Sequence, residues 1–520
     1  MNALDRAIAE VAPGWGLARM RSRAGMAAYE AAVSSRTHKA KKSQGDANSV
    51  IQRGAMSIRG QARYLEENSD LVDTLLTTLV NNVVGKEGIG VEPMPLDRDG
   101  QVHEAFAREL LEGFDEWSLK PESTGEWGRA EMERLVCRTW LRDGECLGEQ
   151  LLGHVPGFVH PNGALPFSLQ LMEPDFLPLD LTRPSDGIYQ GIQVNDWQQA
   201  QLYHLYLQHP GGMSAVGLKT RSVAADRMLH IKQVKRLHSR RGISILASAL
   251  QRIAGLQSYE EAELVAARIS AAMAFYIRKG LPDDYSEPGD GAAKRRNLPI
   301  SPGTIFDDLR PGEDVGTIES NRPNPILESF RGAMMRIICG SAGGANHSTV
   351  SKKYEGSYSA QRQELVDSYV SYGVLSNAFI AQWTRPVYRR YVQISIMTGR
   401  HVPPPGLDIR TAMLAYYQPP TMPWIDPYKE AQGNRELVRG GFGTESEVIR
   451  ARGKNPNEVK RQRAREIREN RDQELVFNSD SYHEYYGTRE GNEKANGADS
   501  ANGDGGRGGD GAGAAGNSDD

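Results

Sequence analysis

The chain has 520 residues, of which 39% are hydrophobic and 25% are charged, and its formal net charge is -4. This length is too great for a single hydrophobic core, so we expect two or three structural units. The mean hydropathy of -0.53 and the lack of an apolar run of about 18 residues argue against a membrane span. The first residues contain an early acidic side chain and no apolar core, so we expect no secretory signal and a protein made in the cytoplasm.

Charge is distributed unevenly along the chain. Between Arg19 and Arg63 there are ten Lys or Arg against Glu30 and Asp46, which indicates a basic, loosely structured arm over residues 1–50. Such an arm contacts nucleic acid or an acidic partner, or is simply solvated, and the pattern leaves these alternatives open. The three cysteines match no metal-ligand spacing, and we interpret them as reduced, buried thiols.

Apolar periodicity predicts three helices in the first part of the chain, over residues 57–84, 103–117 and 129–143. Between residues 144 and 234 the period changes to about two, which predicts a meander of β-strands.

Two histidines, His204 and His209, fall in or just after one of these strands. Alternation places His204 on the face opposite Tyr203 and Leu205. We interpret both histidines as surface residues, because no Asp, Glu or Cys nearby in the sequence completes a metal-ligand set.

One long helix is predicted over residues 243–279, which contain no proline and a single interior glycine, Gly255. It would be about 55 Å long. A basic cluster precedes it, and because cations do not suit a helix N-terminus, the cluster has some other partner. The helix is followed by a Pro/Gly-rich and charged segment, 280–323, which contains strand candidates over 298–305 and 314–318. A second helix over 324–338 follows, so we expect a helical hairpin with a compact insertion at its tip.

The remainder of the chain is predicted as a polar loop and several helices. Residues 339–358 form the loop, and loops of this length are usually functional or disordered. A long helix over 359–397 is opened by Ser359 and interrupted by Pro386. Thr444 and Glu447 form a capping box, a highly charged helix covers 455–475, and the glycine-rich tail is expected to be disordered.

We find no motif for an active site, and no cofactor is expected. Phosphate-binding loops, HExxH, GxSxG and EF-hand patterns are missing from the sequence. Three acidic pairs could in principle serve a two-metal nuclease, but they lie in predicted loops beside Pro and Gly, and adjacent carboxylates point in different directions. We interpret them as solvated turn residues; the pairs are Asp283 with Asp284, Asp307 with Asp308, and Glu313 with Asp314.

Eight short motifs, in order, resemble those of the lambda-type family of tailed-phage portal proteins. The resemblance covers roughly residues 50–470. There are three departures from the family pattern. A polar run follows the second hairpin helix, where the family usually has hydrophobic and aromatic residues; Ser239 stands where Gln is common; and the strand segment over 197–207 lacks the usual turn glycine. The motif residues are Arg59, Ala62, Arg63, Leu65 and Asn68; Asn82 to Gly85; Trp140, Gly144 and Glu145; Leu229, His230 and Ile231; Arg241, Gly242 and Ser244; Pro302, Gly303, Pro311, Gly312 and Glu313; Ser357, Tyr358, Ser359 and Arg362; and Gly440, Thr444 and Glu447.

The resemblance implies an α+β portal fold that assembles as a cyclic ring of twelve subunits around a central channel. Double-stranded DNA would be packaged and ejected through this channel at one capsid vertex of the virion, after assembly in the host cytoplasm. The implied partners are the terminase large subunit, a head-tail adaptor, and the major capsid and scaffold proteins, with no membrane.

The implied division of the chain follows the family's anatomy. It comprises a basic arm (1–50), a wing (51–240), a first stem helix (241–279), a clip (280–323), a second stem helix (324–339), a channel loop (340–358), the second part of the wing (359–426), a crown (427–478) and a disordered Gly/Asp-rich tail (479–520).

Functional residues are assigned on the same basis. Lys352, Lys353, Arg240 and Arg241 are predicted to face DNA, with backbone-directed and sequence-independent contacts. Lys294, Arg295 and Arg296 are predicted to dock the motor. Two alternatives are a metal-dependent DNA-processing enzyme with an unrecognised site and a helical scaffold protein that forms open filaments.

Overall fold

The computed structural model describes residues 10, 12–15, 45–163, 165–212, 219–271, 275–279, 313–317, 326–422 and 426–475. The chain divides into two compact units, Met1–Pro420 and Thr421–Asp520. Most of the basic arm, most of the predicted clip, the residues Lys294 to Arg296 and the tail over 479–520 lie outside the described residues.

The described helices are numbered in chain order. They are α1 (Ala47–Asn68), α2 (Asp70–Val83), α3 (Glu104–Trp117), α4 (Arg129–Asp143), α5 (Leu250–Ala271), α6 (Leu327–Ser341), α7 (His347–Ser351), α8 (Tyr358–Phe379), α9 (Arg385–Met397), α10 (Pro427–Arg439), α11 (Glu445–Ala451) and α12 (Pro456–Asp472).

The described strands form four small antiparallel sheets, with the orders β1-β11, β9-β10, β3-β2-β8 and β4-β5-β6-β7. This mixture of helices and separate antiparallel sheets confirms the predicted α+β class. The strands are β1 (Gly90–Pro93), β2 (Glu145–Leu152), β3 (Phe167–Met172), β4 (Ile188–Tyr189), β5 (Ile192–Val194), β6 (Ala200–Tyr206), β7 (Thr220–Ala224), β8 (Met228–Lys232), β9 (Phe275–Lys279), β10 (Glu313–Thr317) and β11 (Ala415–Gln418).

The first predicted helix, over residues 57–84, is in fact two helices, and it begins earlier. The Asp46 carboxylate caps α1 by accepting bonds from the backbone N–H groups of Asn48 and Ser49. Ser69 then adopts an extended conformation, with φ -127° and ψ 114°, and separates α1 from α2. Asn, Ser and Asp side chains at this point favour helix ends over helix interiors, which explains the break.

The prediction of one long helix over residues 243–279 is wrong at both ends. A 3-10 turn, Ile245–Ser248, precedes α5, and α5 spans only the 22 residues to Ala271. Residues Phe275–Lys279 form β9, which pairs with β10 so that Lys279 lies opposite Glu313. Aromatic and β-branched residues suit a strand once a pairing partner is present, and that partner is distant in the sequence. The strand candidate over residues 314–318 is thereby confirmed, whereas the interpretation of Glu313 and Asp314 as solvated turn residues is wrong, because both lie in β10.

The interruption predicted at Pro386 takes the form of a π-helical segment, Ile380–Thr384, between α8 and α9. Pro386 is the second residue of α9, and because the backbone of Thr384 before it is already helical, the missing proline N–H falls inside a continuous helical run, next to the π segment. The π segment turns Trp383 into the core and allows the Gln382 side chain to accept a bond from the backbone N–H of Lys232, at 3.0 Å. The N-cap of α8 is Ser357, two residues before the predicted Ser359.

The main core lies between α1–α4, the β3-β2-β8 sheet, the start of α5, the end of α6 and α8–α9. Trp140 and Trp383 are among its largest fully buried side chains. All three cysteines are buried and free, which confirms their interpretation as structural thiols. A second, smaller cluster underlies the β4–β7 sheet; it buries Tyr203 and Leu205 but not His204, as the alternation predicted.

The second unit contains α10, α11 and α12. The predicted capping box is present: the Thr444 hydroxyl accepts a bond from the Glu447 N–H, and the Glu447 carboxylate accepts one from the Thr444 N–H.

Replacing Thr444 by alanine is expected to destabilise α11 by about 1 kcal/mol, because one N-terminal N–H group loses its acceptor. The change is read as faster amide exchange over Glu445–Ala451. The matched control is Ser446→Ala, inside the helix and outside the capping box, which should leave the exchange almost unchanged. Equal exchange in the two variants would show that the box does not hold the helix.

Candidate functional site

The entrance to α5 is attached to the first residue of β2 through a buried carboxylate, Glu145. The Arg241 guanidinium lies 2.7 Å from Oε1 of Glu145, and that of Arg59 lies 3.1 Å from the same atom. Oε2 accepts bonds from His230 Nε2 at 3.0 Å and from the backbone N–H of Gly242 at 2.9 Å. Four chain segments therefore meet at one side chain, and we call these residues the Glu145 cluster.

The protonation states within the Glu145 cluster follow from its burial. Burial alone would raise the pKa of Glu145, but the charge of Arg241 and the hydrogen bond from His230 outweigh it, and the pKa is well below its usual range. Burial lowers the pKa of His230 despite its bond to Glu145. The cluster therefore contains an ionised carboxylate, two guanidinium groups and a neutral imidazole.

Acidification is expected to destabilise the first unit. The folded pKa values of His230 and Glu145 both lie below their ordinary values of 6.5 and 4.5. On acidification these two groups therefore bind protons more readily in the unfolded chain than in the folded one. The free energy of unfolding falls below about pH 6.5 because of His230 and again below about pH 4.5 because of Glu145. Thermal unfolding midpoints at pH 7, 5.5 and 4 test this.

The matched variant is His230→Gln, whose amide can still donate to Glu145 but cannot titrate. The unfolding midpoint of this variant should decrease less between pH 7 and pH 5.5 than that of the wild type. A midpoint that rises on acidification would contradict the assignment.

A second group of ion pairs surrounds the Glu145 cluster and joins α1 to the end of α4. Arg63 lies 2.7 Å from Asp143 and 2.5 Å from Asp175. Arg142 lies 2.7 Å from both Asp143 and Glu66. Removing one partner of such a buried ion pair strongly destabilises a protein, because the other charge is left buried and uncompensated. They fix the position of α1 against the start of β2.

Two glycines allow the backbone at the entrance to α5 to approach the end of α4. A Cβ on Gly144, which has φ +91°, would lie 2.2 Å from the carbonyl carbon of Ile243. A Cβ on Gly242 would lie 2.0 Å from the carbonyl oxygen of Gly144. The backbones of these two segments are in direct contact with no side chain between them, and only glycine permits this.

The described apolar side chains of the helices α5 and α6 are buried at one end of the pair, and Glu263 further along α5 is also buried. Near the core, Ile253 of α5 and Ile338 of α6 are fully buried. Further along, Tyr259 and Phe330 make an edge-to-face contact with their ring centroids 5.0 Å apart. Leu264, beyond this contact, is 52% exposed. The pair therefore projects from the core.

The predicted polar loop after α6 is more ordered than expected. It contains the short helix α7, which is capped by the Asn346 side chain. Ala342, Ala345 and Val350 are buried, and the Asn346 N–H donates to the Tyr372 hydroxyl at 2.9 Å. The prediction of an uncovered loop is wrong because its small residues pack closely against α8.

The two predicted DNA-facing lysines lie just after α7, and both are exposed. Lys352 has a left-handed backbone with φ 55°. Lys353 forms ion pairs with Glu328 of α6 and with Glu355, and hydrogen bonds to these carboxylates raise its pKa. A cavity of about 570 Å³ lies beside these residues, between α6, α7 and the start of α8. Lys353 is therefore attached to α6, whereas no ion pair of Lys352 is found among the described residues.

The prediction that Arg241 faces DNA is wrong. Arg241 is 1% exposed, and besides Glu145 its guanidinium donates to the carbonyl oxygens of Leu177 and Pro174. Arg240 is half-buried, and its guanidinium lies over the Tyr189 ring, 4.3 Å from the centroid. A charge cluster in the sequence had suggested an exposed surface, but the acidic partner of Arg241 lies in a distant strand.

One group of possible metal ligands occurs among the described residues, formed by Glu173, Asp175 and His209. The interpretation of His209 as lacking acidic neighbours is therefore wrong, because the fold brings two carboxylates to it. Arg63 lies 3.4 Å from Glu173 and 2.5 Å from Asp175. The Arg63 guanidinium already neutralises part of the negative charge of the two carboxylates that would attract a metal ion, so these residues do not favour a metal.

None of the described helices has the length and apolar content required to cross a bilayer.

Comparison with known proteins places the chain in a family. The sequence model described as "Phage portal protein, lambda family" matches residues 34–375. A "Probable portal protein" of Halomonas phage phiHAP-1 is 24% identical over 441 residues, which is 82% of each chain. The chain belongs to the lambda family of phage portal proteins.

Solved structures of gene transfer agent particles are also similar. A chain of the "Neck of native GTA particle computed with C12 symmetry" is 14% identical, with 78% of this chain and 94% of that chain covered and a TM-score of 0.39. A chain of the "Neck of empty GTA particle computed with C6 symmetry" has the same identity and coverage and a TM-score of 0.40. The family assignment depends on the sequence match.

Proposed function

We propose that this chain forms a ring of twelve subunits at one capsid vertex, with a central channel for packaging and ejection of double-stranded DNA. The observation that carries this proposal is membership of the portal family over residues 34–375. The α5–α6 pair, which projects from the core, and the lysine-bearing segment after α7 suit a channel wall. The portal family is structural, so the alternative of a DNA-processing enzyme has no support from the comparisons.

The units of the chain are proposed to correspond to the parts of such a ring. The first part of the wing is assigned to residues 51–240 and its second part to 359–426. The stem is formed by α5 and α6, and the channel loop by 340–358. The clip is placed at 280–323, which includes β9's partner β10, and the crown at 427–478.

The proposed partners follow from this arrangement. The clip would dock the terminase large subunit and later the head-tail adaptor, with Lys294, Arg295 and Arg296 as candidate contacts. The wing would face the major capsid and scaffold proteins. Assembly would take place in the host cytoplasm, without a membrane, and the ring would remain in the virion.

DNA contact in the channel is assigned to Lys352, with a weaker contribution from Lys353. Lys352 is exposed and forms no ion pair with a carboxylate in the described part of the chain, whereas Glu328 and Glu355 already neutralise Lys353. Channel contacts should be few, because each fixed phosphate contact adds salt-dependent affinity that retards sliding. Arg240 and Arg241 are not included, because both are used within the chain.

Replacing Lys352 by glutamine is expected to weaken binding of the assembled ring to double-stranded DNA equally for all sequences. The slope of log affinity against log salt concentration should become shallower by about 0.9 for each phosphate that is no longer neutralised. Lys353→Gln is the matched control and should change the slope less. Equal slopes for Lys352→Gln and the wild type would remove Lys352 from the channel surface, as would a Lys352→Glu phage that packages normally.

The proposed function is tested in a phage that encodes this chain. Deleting the chain should give capsids that contain no DNA, and supplying it in trans should restore packaging. Packaged, infectious particles without the chain would contradict the proposal. DNA cleavage by the purified chain that requires a divalent metal would favour the enzyme alternative.

A further inference from the structure

Two turns of the first unit are held together by Arg240. One turn joins β5 to β6 over residues 195–199, and the other follows β8 over 233–241. The Arg240 guanidinium donates to the Gln198 side chain and lies over the Tyr189 ring. Each turn contains a non-glycine residue with a left-handed backbone, Gln198 at φ 64° and His238 at φ 62°. Such conformations persist only where the surroundings fix them.

The backbone of the second turn is held by hydrogen bonds from two further side chains. The Lys232 ammonium donates to the carbonyl oxygens of Ser239 and Arg240, at 3.1 and 3.2 Å. Asn48 of α1 donates to the His238 carbonyl at 3.1 Å and accepts from the Arg240 N–H at 2.9 Å. The two turns are therefore a rigid feature of the surface, and we call them the basic turn pair.

The basic turn pair presents large apolar side chains to solvent. Trp197 is 80% exposed and Leu237 is 87% exposed. Lys235 and Arg236, just before Leu237, are also exposed, against one exposed acid, Asp196. Exposed aromatic and aliphatic side chains on a rigid support, with charged residues beside them, are typical of protein-protein contacts. The chemistry fits an acidic surface with an apolar side chain of its own.

A surface of that kind is present on the same unit, along the solvent side of α3. Five carboxylates are exposed there against two cations, Arg108 and Lys120, and Leu119 just after the helix is 72% exposed. Arg400 contacts Glu116 and His401 contacts Glu109, and Glu104 and Asp115 have interactions of their own; the carboxylates still outnumber the cations on this side of the helix. We call it the acidic α3 face; its carboxylates are Glu104, Glu109, Glu112, Asp115 and Glu116.

The two surfaces lie at opposite corners of the β3-β2-β8 sheet. The basic turn pair follows Lys232 at the end of β8, which pairs with Glu145 at the start of β2. The end of α3 lies at Phe167 of β3, where the Trp117 indole donates to the Phe167 carbonyl at 2.9 Å. Phe167 pairs with Leu152, the last residue of β2. The eight residues of β2 separate these corners by roughly 23 Å. The two surfaces are therefore apart within one copy of the chain.

We propose that the basic turn pair of one copy binds the acidic α3 face of a second copy of this chain. Head-to-tail rings need two different, complementary surfaces on separate parts of each subunit. The sheet places these two surfaces apart, and their charges and apolar side chains are complementary. This inference depends on the proposed ring, and it identifies the surfaces by which neighbouring wings meet.

The contact is tested by carbodiimide crosslinking of the assembled full-length protein, which joins a lysine amine to a carboxylate that touches it. Lys235 should form a crosslink to Glu112 or Asp115. Mixing isotopically light and heavy chains before assembly distinguishes crosslinks between copies from those within one. The expected result is a mixed light and heavy crosslink, and a crosslink within one chain only would overturn the proposal.

A charge exchange provides the second test. The variant Lys235→Glu with Arg236→Glu should lose ring assembly, and so should Glu112→Lys with Asp115→Lys. All four changes in one chain should restore assembly, because each contact again joins opposite charges. Lys86→Glu, at an exposed position outside both surfaces, is the matched control and should assemble normally.

The outcomes separate this inference from the proposed function. Rings that form in all the variants, together with wild-type rings that give no crosslink at Lys235, would overturn the inference and leave the channel proposal intact. A wild-type chain that forms no ring would contradict both. Single-surface variants that fail, with no rescue in the combined variant, would also overturn the pairing of these two surfaces.

Discussion

Replacing Glu145 by glutamine is expected to lower the free energy of unfolding of the first unit by about 3–5 kcal/mol. The variant leaves Arg59 and Arg241 buried with no negative charge between them, and a glutamine amide cannot accept from all the donors that surround Glu145. The measurement is urea unfolding followed by tryptophan fluorescence, to which the buried Trp140 and Trp383 contribute.

The matched control is Glu87→Gln, the same chemical change at an exposed ion pair. It should leave the unfolding curve unchanged within error, because exposed pairs contribute little. Wild-type stability in Glu145→Gln would show that the Glu145 cluster does not hold the entrance to α5. A ring that still assembles from a destabilised variant would separate the stability of the subunit from its assembly.

Replacing Gly242 by alanine is expected to cost about 3 kcal/mol or more, at the upper end of the range for overpacking. The new Cβ would lie 2.0 Å from the Gly144 carbonyl oxygen, which is backbone and cannot move aside as a flexible side chain can. Relief requires the start of α5 to separate from the end of α4, which also lengthens the bond between the Gly242 N–H and Glu145. We therefore expect lower stability and a poorer yield of assembled rings.

Gly255→Ala is the matched control for this prediction. Gly255 lies inside α5, and a Cβ added there would meet no atom within 4 Å, so alanine should stabilise the helix by about 0.5–1 kcal/mol. The two alanine variants should thus shift the unfolding midpoint in opposite directions. Shifts in the same direction would contradict the close approach of the two backbones.

Where elements are set by local signals, the sequence predicted them well. Residues 129–143 coincide with α4, because Gly128 and Gly144 limit the helix on both sides. The capping box at Thr444 and Glu447 was also predicted correctly. Caps, glycines and apolar periodicity act over a few residues, so they are readable without knowledge of the fold.

Two elements whose conformation depends on a distant contact were mispredicted. Residues Phe275–Lys279 continue a helical pattern when they are considered alone, and only the pairing with Glu313–Thr317 makes them a strand. The polar residues between α6 and α8 resembled an open loop, but in the structure Val350 and Ala342 belong to the main core and the Asn346 N–H donates to Tyr372 of α8. In both cases tertiary contacts override local preference.

The candidate site shows the same division. The exposure of Lys352 and Lys353 agreed with a polar sequence, but Arg241 was misplaced because its partner Glu145 is 96 residues away. A signal was nevertheless present. Arg59, Glu145, His230 and Arg241 each belong to a different motif of the family resemblance, and the structure brings all four into the Glu145 cluster.

The proposed ring is tested first by the mass and shape of the purified, assembled protein, measured by native mass spectrometry with negative-stain imaging. We expect a closed ring with a central hole and a mass near twelve times the subunit mass of 57.3 kDa. A protein that stays monomeric, or forms open filaments, even when it is produced together with its capsid proteins would contradict the proposed ring.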